Sequence, residues 1–534
     1  MPGAEVSVDQ VGLIKTMSWY DGFVIGLAGP GFILAGVAGS TLTLGPVWAS
    51  IIWFLSAVVG GLSAYIYAEP AAMFPDKSGG LSMFAKEGWR QHFSLAGPIA
   101  TFGYWFAWSS VLAIYGGIIG TLLLSEFAAD KLYDKDGNVV YVAHILFFDV
   151  TWPRLIGTVC ILACFLFNYF GMRPAVWFSY ATAALFVIPL LAITIIPIVN
   201  GSMSNGNIDW SLNADVINEN VAFYGGTPGT GQAIILGIVW FWVIAWSSYF
   251  PEAPATFAPE YHDTKEDTRL ALASTSIMGV FFSTLLPLTC VAVLGLDKIY
   301  EDTSYIAFLT WVLNDTVGDT LGAIFTVFIC AGLLLSMNTA TMDGSRALYG
   351  MAKEGLTIRW LAKLNGQNVP GRAMALDMIF NLCLLYFLPT LLFTLLAGNI
   401  GYVLAHILAL TGFLLLRRDR PDWPRPLKLG AAWVPIAWLC VAANVVGSII
   451  GIAYMQYTGY LVNWSQVDAD GMPNVTGYRS LAIIIGIGVI VVAVVGFIIG
   501  QAQAGKKFSF KDPSDEKPAA HVYELMGQQA PSGD

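Results

Sequence analysis

Long apolar segments alternate with short polar ones along the whole chain. Segments such as 51–67, 155–170, 321–335 and 483–499 reach or approach the roughly 20 residues with which a helix crosses a bilayer. This pattern predicts twelve membrane spans, at residues 17–43, 46–74, 95–126, 153–171, 174–199, 230–259, 268–297, 317–352, 371–396, 398–417, 429–456 and 477–503. We therefore expect an all-α polytopic membrane protein without a large soluble domain.

The composition agrees with a bilayer as the main solvent. Of the 534 residues, 56% are hydrophobic and 12% are charged, and the mean hydropathy is +0.66. The N-terminal residues include Glu5 and Asp9 and lack the pattern of a cleavable signal peptide, so we expect the first span to be retained. The cysteines lie in apolar segments without metal-ligand spacing, so we expect no disulfide, metal or cofactor: Cys160, Cys164, Cys290, Cys330, Cys383 and Cys440.

Basic residues are distributed unequally between the loops. With the N-terminus inside, 21 of the 26 Lys and Arg residues fall on the inner side, and five fall outside: Lys131, Lys135, Arg154, Lys298 and Arg479. This positive-inside bias predicts a multi-pass protein of the inner (cytoplasmic) membrane with both termini in the cytoplasm. The net charge of −10 says little about partners. We expect the lipid bilayer among them, but no nucleic acid.

Two predicted spans contain residues that interrupt a helix. The first reads GLAGPGF at 26–32, and the sixth reads WSSYFPEAP at 246–254. A proline removes a backbone donor and clashes with the preceding turn. Broken helices at matching places of two repeats point to a transport site, because unpaired backbone groups are tolerated in a membrane where they line a cavity. Two kinks without a ligand are the alternative.

Four short stretches follow one another in a recognisable order. They are GPGF at 29–32, AEPAAMFPDKSGG at 68–80, the segment 246–263 with Glu252 and Glu260, and SRALYGMAKEG at 345–355 followed by Asn365 and Val369-Pro370. Together they resemble the amino acid-polyamine-organocation (APC) superfamily of permeases, over about residues 15–430.

The resemblance implies a LeuT-type fold, in which two inverted repeats of five helices are followed by two peripheral helices. The chain then divides into a cytoplasmic N-terminal segment at 1–16, repeat one at 17–199, repeat two at 230–417, helices eleven and twelve at 429–503, and a disordered cytoplasmic tail at 504–534. It also implies a secondary transporter that works by alternating access.

The resemblance further implies how a substrate is held. Amides of 29–32 would bind a carboxylate, and the carbonyls of Leu27, Trp246 and Tyr249 would bind an amino group, in line with the dipoles of helix ends. The substrate-binding residues carried over by position or by their place in the breaks are Leu27, Gly29, Pro30, Gly31, Trp246, Ser247, Ser248, Tyr249, Glu252, Thr339 and Ala340.

Two of these residues depart from a site for ordinary α-amino acids. Pro30 has no N–H, whereas the family usually has Ser or Thr there, so a carboxylate would lose a donor. A missing partner for a desolvated charge costs about 1–3 kcal/mol. Glu252 is a carboxylate beside a broken helix, which is a functional candidate at membrane depth. It can pair with a substrate ammonium or couple transport to pH, and a stabilising role in the sixth helix is the alternative.

Other residues in the spans have simpler expected roles. The resemblance implies that an aromatic residue near Trp246 gates the site, and the face of such a ring can also contact an amine cation. We expect Glu69 to order the loop 75–80, and Asp343 and Arg346 to neutralise each other at i,i+3, as structural or gating residues. His406 either titrates or is an ordinary buried histidine.

The coupling ion and the substrate remain open at this point. Span five contains no lysine, which carries the proton in some relatives, so H+ at Glu252, Na+ at hydroxyls of span eight and exchange are all candidates. The leading hypothesis is a transporter of organic amines, polyamines or amino acids; a plain α-amino acid proton symporter and a sensor that does not transport are the alternatives. We do not expect an enzyme, because the five histidines are scattered. Homo-oligomerisation is left open.

Overall fold

The structure is a computed structural model that describes residues 15–135, 139–145, 148–201, 203, 206–224, 226–302, 306–387, 391–459, 476–512 and 517–528. Most of the N-terminal segment 1–16 therefore lies outside the described residues. The helices are α1 (Trp19–Gly26), α2 (Gly29–Leu44), α3 (Pro46–Ile66), α4 (Ala68–Met73), α5 (Gly80–Trp89), α6 (Ala96–Ser109), α7 (Val111–Phe127), α8 (Trp152–Tyr169), α9 (Met172–Val199), α10 (Asp215–Phe223), α11 (Thr230–Ser248), α12 (Thr264–Leu294), α13 (Leu296–Tyr300), α14 (Phe308–Val317), α15 (Asp319–Lys353), α16 (Gly371–Phe387), α17 (Leu391–Asp419), α18 (Trp433–Tyr454), α19 (Thr476–Gln503) and α20 (Ala520–Glu524).

The predicted all-α membrane architecture is confirmed. Within the described residues, eleven helical segments are long and apolar enough to cross a membrane. Several are built from two consecutive helices, such as α1 with α2 and α6 with α7. The described β-structure is small, a hairpin in which Tyr141–Ile145 (β1) pairs antiparallel with Phe148–Thr151 (β2). The protein is therefore a multi-pass membrane protein.

The predicted boundary between the ninth and tenth spans is wrong. The sequence placed it near Gly398, but α17 begins at Leu391 and runs through this position, and α16 has only 17 residues. The glycines there serve close packing instead of a turn. A Cβ on Gly401 would lie 2.6 Å from the Cα of Gly103, and one on Gly398 would lie 3.3 Å from the Cα of Ala107. Such close contact between backbones is a common way for membrane helices to associate.

Residues 509–512 contact the rest of the bundle, within the segment 504–534 that the sequence predicts to be a disordered tail. The amide of Asp512 donates to the carbonyl of Arg90 over 2.7 Å, and the amide of Ser94 donates to the carbonyl of Phe510 over 2.8 Å. These contacts fix the segment against the chain that follows α5. We call the end of the bundle formed by residues 68–90, 417–429 and 505–512 the basic end.

The two interrupted helices lie next to each other. Residues 250–260 follow α11 as a 3-10 helix, and the carbonyl of Glu260 accepts hydrogen bonds from the amides of Thr16 and Met17 just before α1. Nearer the middle of the bundle, the ring of Phe250 lies so close to Gly29 that a Cβ there would overlap it. The glycines of the first break therefore allow the two broken helices to touch.

Candidate functional site

The first break lies at Leu27 and Ala28, between α1 and α2. The helix resumes at Gly29, and Pro30 occupies its first turn, where a missing N–H removes no helical hydrogen bond. The amide of Gly31 already donates to the carbonyl of Ala28 over 3.0 Å. In this arrangement, the turn that the sequence assigned to a carboxylate offers neither the nitrogen of Pro30 nor a free amide at Gly31.

Hydroxyl groups satisfy the carbonyls that the first break exposes. Ser336 donates to Ala28 over 2.8 Å, Thr339 donates to Ile25 over 3.2 Å, and Tyr115 donates to Gly31 over 3.1 Å. Thr339, in the middle of α15, thus contacts the first break. Its neighbour Ala340 is fully buried.

The second break follows Ser248, where α11 ends and the 3-10 helix begins. Ser248 shares a hydrogen bond of 2.8 Å with Ser56 of α3, and the hydroxyl of Tyr249 donates to Asn444 of α18 over 2.9 Å. Ser247 lies beside Gly36 of α2. The side chains of Ser248 and Tyr249 therefore hold the break against its neighbours, whereas Trp246 reaches the cavity.

An aromatic cavity lies between the two breaks. Its walls are Phe32, Ala107, Trp108, Val111, Trp246 and Tyr402. Its volume is about 10 Å³, which is room for roughly one water molecule. The ring of Phe32 lies 5.2 Å from that of Trp108 and 5.8 Å from that of Trp246, both nearly edge to face. The structure is therefore a closed arrangement, and a substrate would have to displace these rings.

Glu252 lies directly behind the cavity wall. One carboxylate oxygen accepts hydrogen bonds from the Trp108 indole over 3.1 Å and the Tyr402 hydroxyl over 2.8 Å, and the other accepts from the Tyr104 hydroxyl over 2.9 Å. The side chain is completely buried. Two of these three donors line the cavity, so Glu252 fixes the orientation of the wall.

Two residues of this arrangement were missed in the sequence. Tyr104 lies four residues before Trp108, and Tyr402 lies four residues before His406, so each shares a helix face with another polar ring. A polar ring one turn from another polar residue in an apolar span was the available signal. It does not by itself indicate that both rings contact a glutamate of the 3-10 helix that follows α11.

His406 is a buried member of the surrounding ring cluster. Its Nδ1 lies 3.0 Å from the hydroxyl of Tyr67, and its ring lies 4.8 Å from that of Tyr402 and 4.9 Å from that of Tyr249. It packs behind Tyr402 and does not line the cavity.

The predicted ion pair between Asp343 and Arg346 is wrong. Arg346 pairs instead with Glu260, through Nε over 2.5 Å and through a terminal nitrogen over 3.1 Å, and its guanidinium stacks on Phe257. Both partners are at most 3% exposed. The guanidinium of Arg346 can bind both oxygens of Glu260, which lies on the neighbouring helix. Asp343, on the same helix as Arg346, does not form such a two-point contact.

Glu69 also has a partner other than the expected one. Its oxygens accept from Arg417 over 2.5 Å and from Arg425 over 3.2 Å, and from the amide of Leu429 over 2.9 Å. Glu69 therefore ties α4 to the end of α17 and to the loop after it, and not to the loop 75–80. The reason is that Arg417 in α17 and Arg425 in the following loop bring two guanidinium groups to a completely buried carboxylate.

Comparison with known families identifies one match. A family of amino acid permeases matches residues 18–490 of the chain, which includes both breaks and the residues around the cavity. No curated protein matches the chain. With its apolar spanning helices and its match over most of the length, the chain belongs to the amino acid permease family of the APC superfamily, whose members are membrane transporters of amino acids or amines.

Proposed function

We propose that this permease moves small organic amines, including diamines and polyamines, across the cytoplasmic membrane by alternating access. The observation that carries the proposal is the aromatic cavity with Glu252 behind its wall. Aromatic faces attract a cation, and the attraction grows when water is excluded. Among the described residues, no Lys or Arg lines this cavity. A positively charged substrate group therefore meets rings and one negative charge.

The first break supports an amine over an α-amino acid. A substrate carboxylate needs hydrogen bonds from backbone amides when it leaves water. Pro30 has none to give, and the amide of Gly31 is bonded to Ala28. A carboxylate near Glu252 would also meet a like charge. Both effects lower the affinity for a zwitterionic amino acid relative to the amine that lacks the carboxylate.

The charge distribution supports an orientation in which the basic end faces the cytoplasm. Lys77, Lys86, Arg90, Arg417 and Arg420 all lie at this end. Cytoplasmic loops of membrane proteins carry an excess of such residues. The cavity then opens to the cytoplasm when the Glu260–Arg346 pair separates, and to the other side when the aromatic wall moves.

Counterflow in liposomes tests the proposal. The purified full-length chain is loaded with one unlabelled compound, and uptake of labelled putrescine, cadaverine or a monoamine is compared with uptake of neutral α-amino acids. We expect rapid counterflow with the amines and little with the amino acids. Faster counterflow with plain α-amino acids would favour the amino acid symporter, and saturable binding without flux would favour a sensor; either result would contradict the proposal.

Variants of the cavity wall sharpen this test. Glu252→Gln removes the charge behind Trp108 and Tyr402, and we expect amine uptake to fall about 10- to 100-fold, from the roughly 1.5–3 kcal/mol carried by bonds to a charged group. Tyr402→Phe removes one donor and should cause a smaller loss. Asp377→Asn is the matched control, because this buried carboxylate bonds to Trp105, which lies outside the cavity wall. Equal uptake by Glu252→Gln and the wild type would contradict the role of Glu252.

A further inference from the structure

Asp343 of α15 is a completely buried carboxylate. No well-formed hydrogen bond reaches its oxygens within the described part of the chain: the hydroxyls of Thr256 and Tyr104 lie close enough for a weak interaction, but Tyr104 donates to Glu252. A charged carboxylate in such surroundings costs several kcal/mol, and a buried group in this situation is normally neutral. In the closed arrangement, the simplest neutral form of Asp343 is the protonated acid.

The charged groups around Asp343 include one cation that does not pair with it. Arg346 lies one turn away on α15 and attracts a negative charge on Asp343, but its guanidinium is paired with Glu260. The other titratable groups that act on Asp343 are Tyr104 of α6, Glu252 of the 3-10 helix and Asp377 of α16. The two carboxylates in this set add to the negative charge. Among these three acids, Asp343 has the weakest support from hydrogen-bond donors, since Glu252 accepts three hydrogen bonds and Asp377 accepts one from Trp105.

Its position lies between the cavity and the basic end. Along α15, Thr339 contacts the first break, Asp343 follows one turn later, and Arg346 follows at about 4.5 Å of further helix rise. Beyond Arg346, a pocket of about 260 Å³ opens at the basic end and is lined by Pro259, Tyr349 and Gly350 among others. Along α15, Arg346, which is paired with Glu260, lies between Asp343 and the pocket residues Tyr349 and Gly350.

Tyr104 connects Asp343 with the substrate site. Its hydroxyl donates to Glu252 over 2.9 Å, lies 3.5 Å from the Thr256 hydroxyl, and is within electrostatic reach of Asp343. A change of charge at Asp343 therefore changes the electrostatic potential at Tyr104, which holds the carboxylate of Glu252 behind the cavity wall. This gives a physical route from proton binding to the shape of the cavity.

We propose that Asp343 is the proton-binding site that couples substrate transport to a proton gradient. The inference rests on the proposed function in that a substrate must be transported, but it does not depend on which substrate. In the closed arrangement Asp343 carries the proton. When the Glu260–Arg346 pair separates, water from the basic end reaches Asp343, the O–H bond breaks, and the proton leaves as hydronium while the carboxylate keeps the electron pair.

The test uses the full-length protein in liposomes with an entrapped pH-sensitive dye. For the wild type, we expect substrate addition to cause proton movement, and an imposed pH gradient of one polarity to accelerate net uptake. Asp343→Asn resembles the protonated acid. We expect it to keep exchange of labelled for unlabelled substrate while net uptake falls to the level without a gradient and the dye signal is lost. The substrate is whichever compound shows counterflow with the wild type. If that compound is not an amine, the proposed function fails, but the proton-coupling proposal can still be tested.

Asp377→Asn is the matched control, since it removes a neighbouring buried carboxylate that already accepts a hydrogen bond from Trp105. It should keep the response to the pH gradient. Three results would overturn the proposal: a wild type that ignores pH gradients, an Asp343→Asn variant that still responds, or loss of the response in Asp377→Asn instead. Stimulation by a sodium gradient that Asp343→Asn abolishes would also overturn it, because the site would then bind sodium.

If Asp343→Asn exchanges labelled for unlabelled substrate too slowly to measure, a stability measurement tests the protonation of Asp343 instead. A carboxylic acid that is protonated in the folded protein and ionised in the unfolded chain makes stability fall as pH rises. We expect the unfolding temperature of the wild type in detergent to fall between pH 5 and pH 8, and the fall to be smaller in Asp343→Asn. An identical pH dependence in the two proteins would overturn the proposal.

Discussion

Glu87 of α5 and Asp343 of α15 are both buried carboxylates, yet their surroundings are opposite. Glu87 contacts four cations, with nitrogen–oxygen distances of 2.9 Å to Lys77, 2.6 Å to Lys86, 3.3 Å to Arg90 and 3.2 Å to Arg420. Within the described part of the chain, no Lys or Arg forms an ion pair with Asp343, and Arg346 of the same helix pairs with Glu260 instead. The basic end thus contains carboxylates whose negative charge is neutralised by cations in direct contact. Asp343, which lies between the cavity and the basic end, is not neutralised in this way.

The contrast separates residues that hold the bundle together from those that respond to a ligand. Burial by itself raises the pKa of Glu87, but Lys86, Lys77 and Arg90 lower it far more, so the pKa lies below its ordinary value. Burial lowers the pKa of Lys86, and Glu87 and Glu354 raise it above its usual range. Such a network keeps its charges over a wide pH range. A carboxylate without partners changes its charge when protons or cations become available, which is the property that a transport cycle requires.

The largest effect is expected where the two regions meet, at the Glu260–Arg346 pair. Arg346→Met leaves Glu260 buried without its partner, and we expect a loss of about 3–5 kcal/mol of stability. The measurement is the midpoint of thermal unfolding in detergent, followed by size-exclusion chromatography. The double variant Glu260→Met with Arg346→Met should recover most of the loss, because it removes both charges.

A surface pair serves as the control for this change. Lys298 and Asp315 are 3.0 Å apart, and both are more than 40% exposed. Lys298→Met should change stability by less than about 1 kcal/mol, because exposed ion pairs contribute little. Equal effects of Arg346→Met and Lys298→Met would mean that the buried pair does not close the basic end.

An intermediate effect is expected for Glu87→Gln, which removes the charge from the centre of the basic network. Bonds to charged groups are worth about 1.5–3 kcal/mol, and we expect a loss of that size near neutral pH. Because the pKa of Glu87 is lowered in the folded protein, its stabilisation is complete above the ordinary value of 4.5 and is lost as pH falls below it. The wild type should therefore lose stability between pH 5 and pH 3, and Glu87→Gln should lose less. Parallel unfolding curves for the two proteins over this range would contradict the prediction.

The smallest effect is expected at the edge of the basic end, for Asp512→Asn. Asp512 is 3.1 Å from Arg90, but its side chain is 40% exposed, so water screens the pair. The backbone bond from the amide of Asp512 to Arg90 remains in the variant. We expect a change below about 1 kcal/mol in thermal unfolding, with the tail still protected in amide hydrogen exchange. Loss of protection at 509–512 would show that the side chain, and not the backbone, holds the tail.

Local features of the sequence were enough to predict the membrane architecture and the two helix breaks. Hydropathy over about 20 residues predicts a spanning helix, since each backbone group must be satisfied within its own segment in lipid. The break near Pro30 and the break near Pro251 follow from residues that stand next to each other in the chain. The boundary near Gly398 was wrong because a glycine marks a turn in one context and close helix packing in another.

The partners of the charged residues were decided by the tertiary structure. Arg346 has Asp343 three residues away but pairs with Glu260, and Glu252 is held by Tyr104, Trp108 and Tyr402, which are about 150 residues from it in the chain. The sequence was enough to identify the carboxylates and to place them within the membrane, because a residue's position in an apolar span follows from its neighbours in the chain. The donors that reach each carboxylate depend on how the helices pack side by side. That packing brings together residues that are far apart in the chain, and their separation does not indicate that they touch.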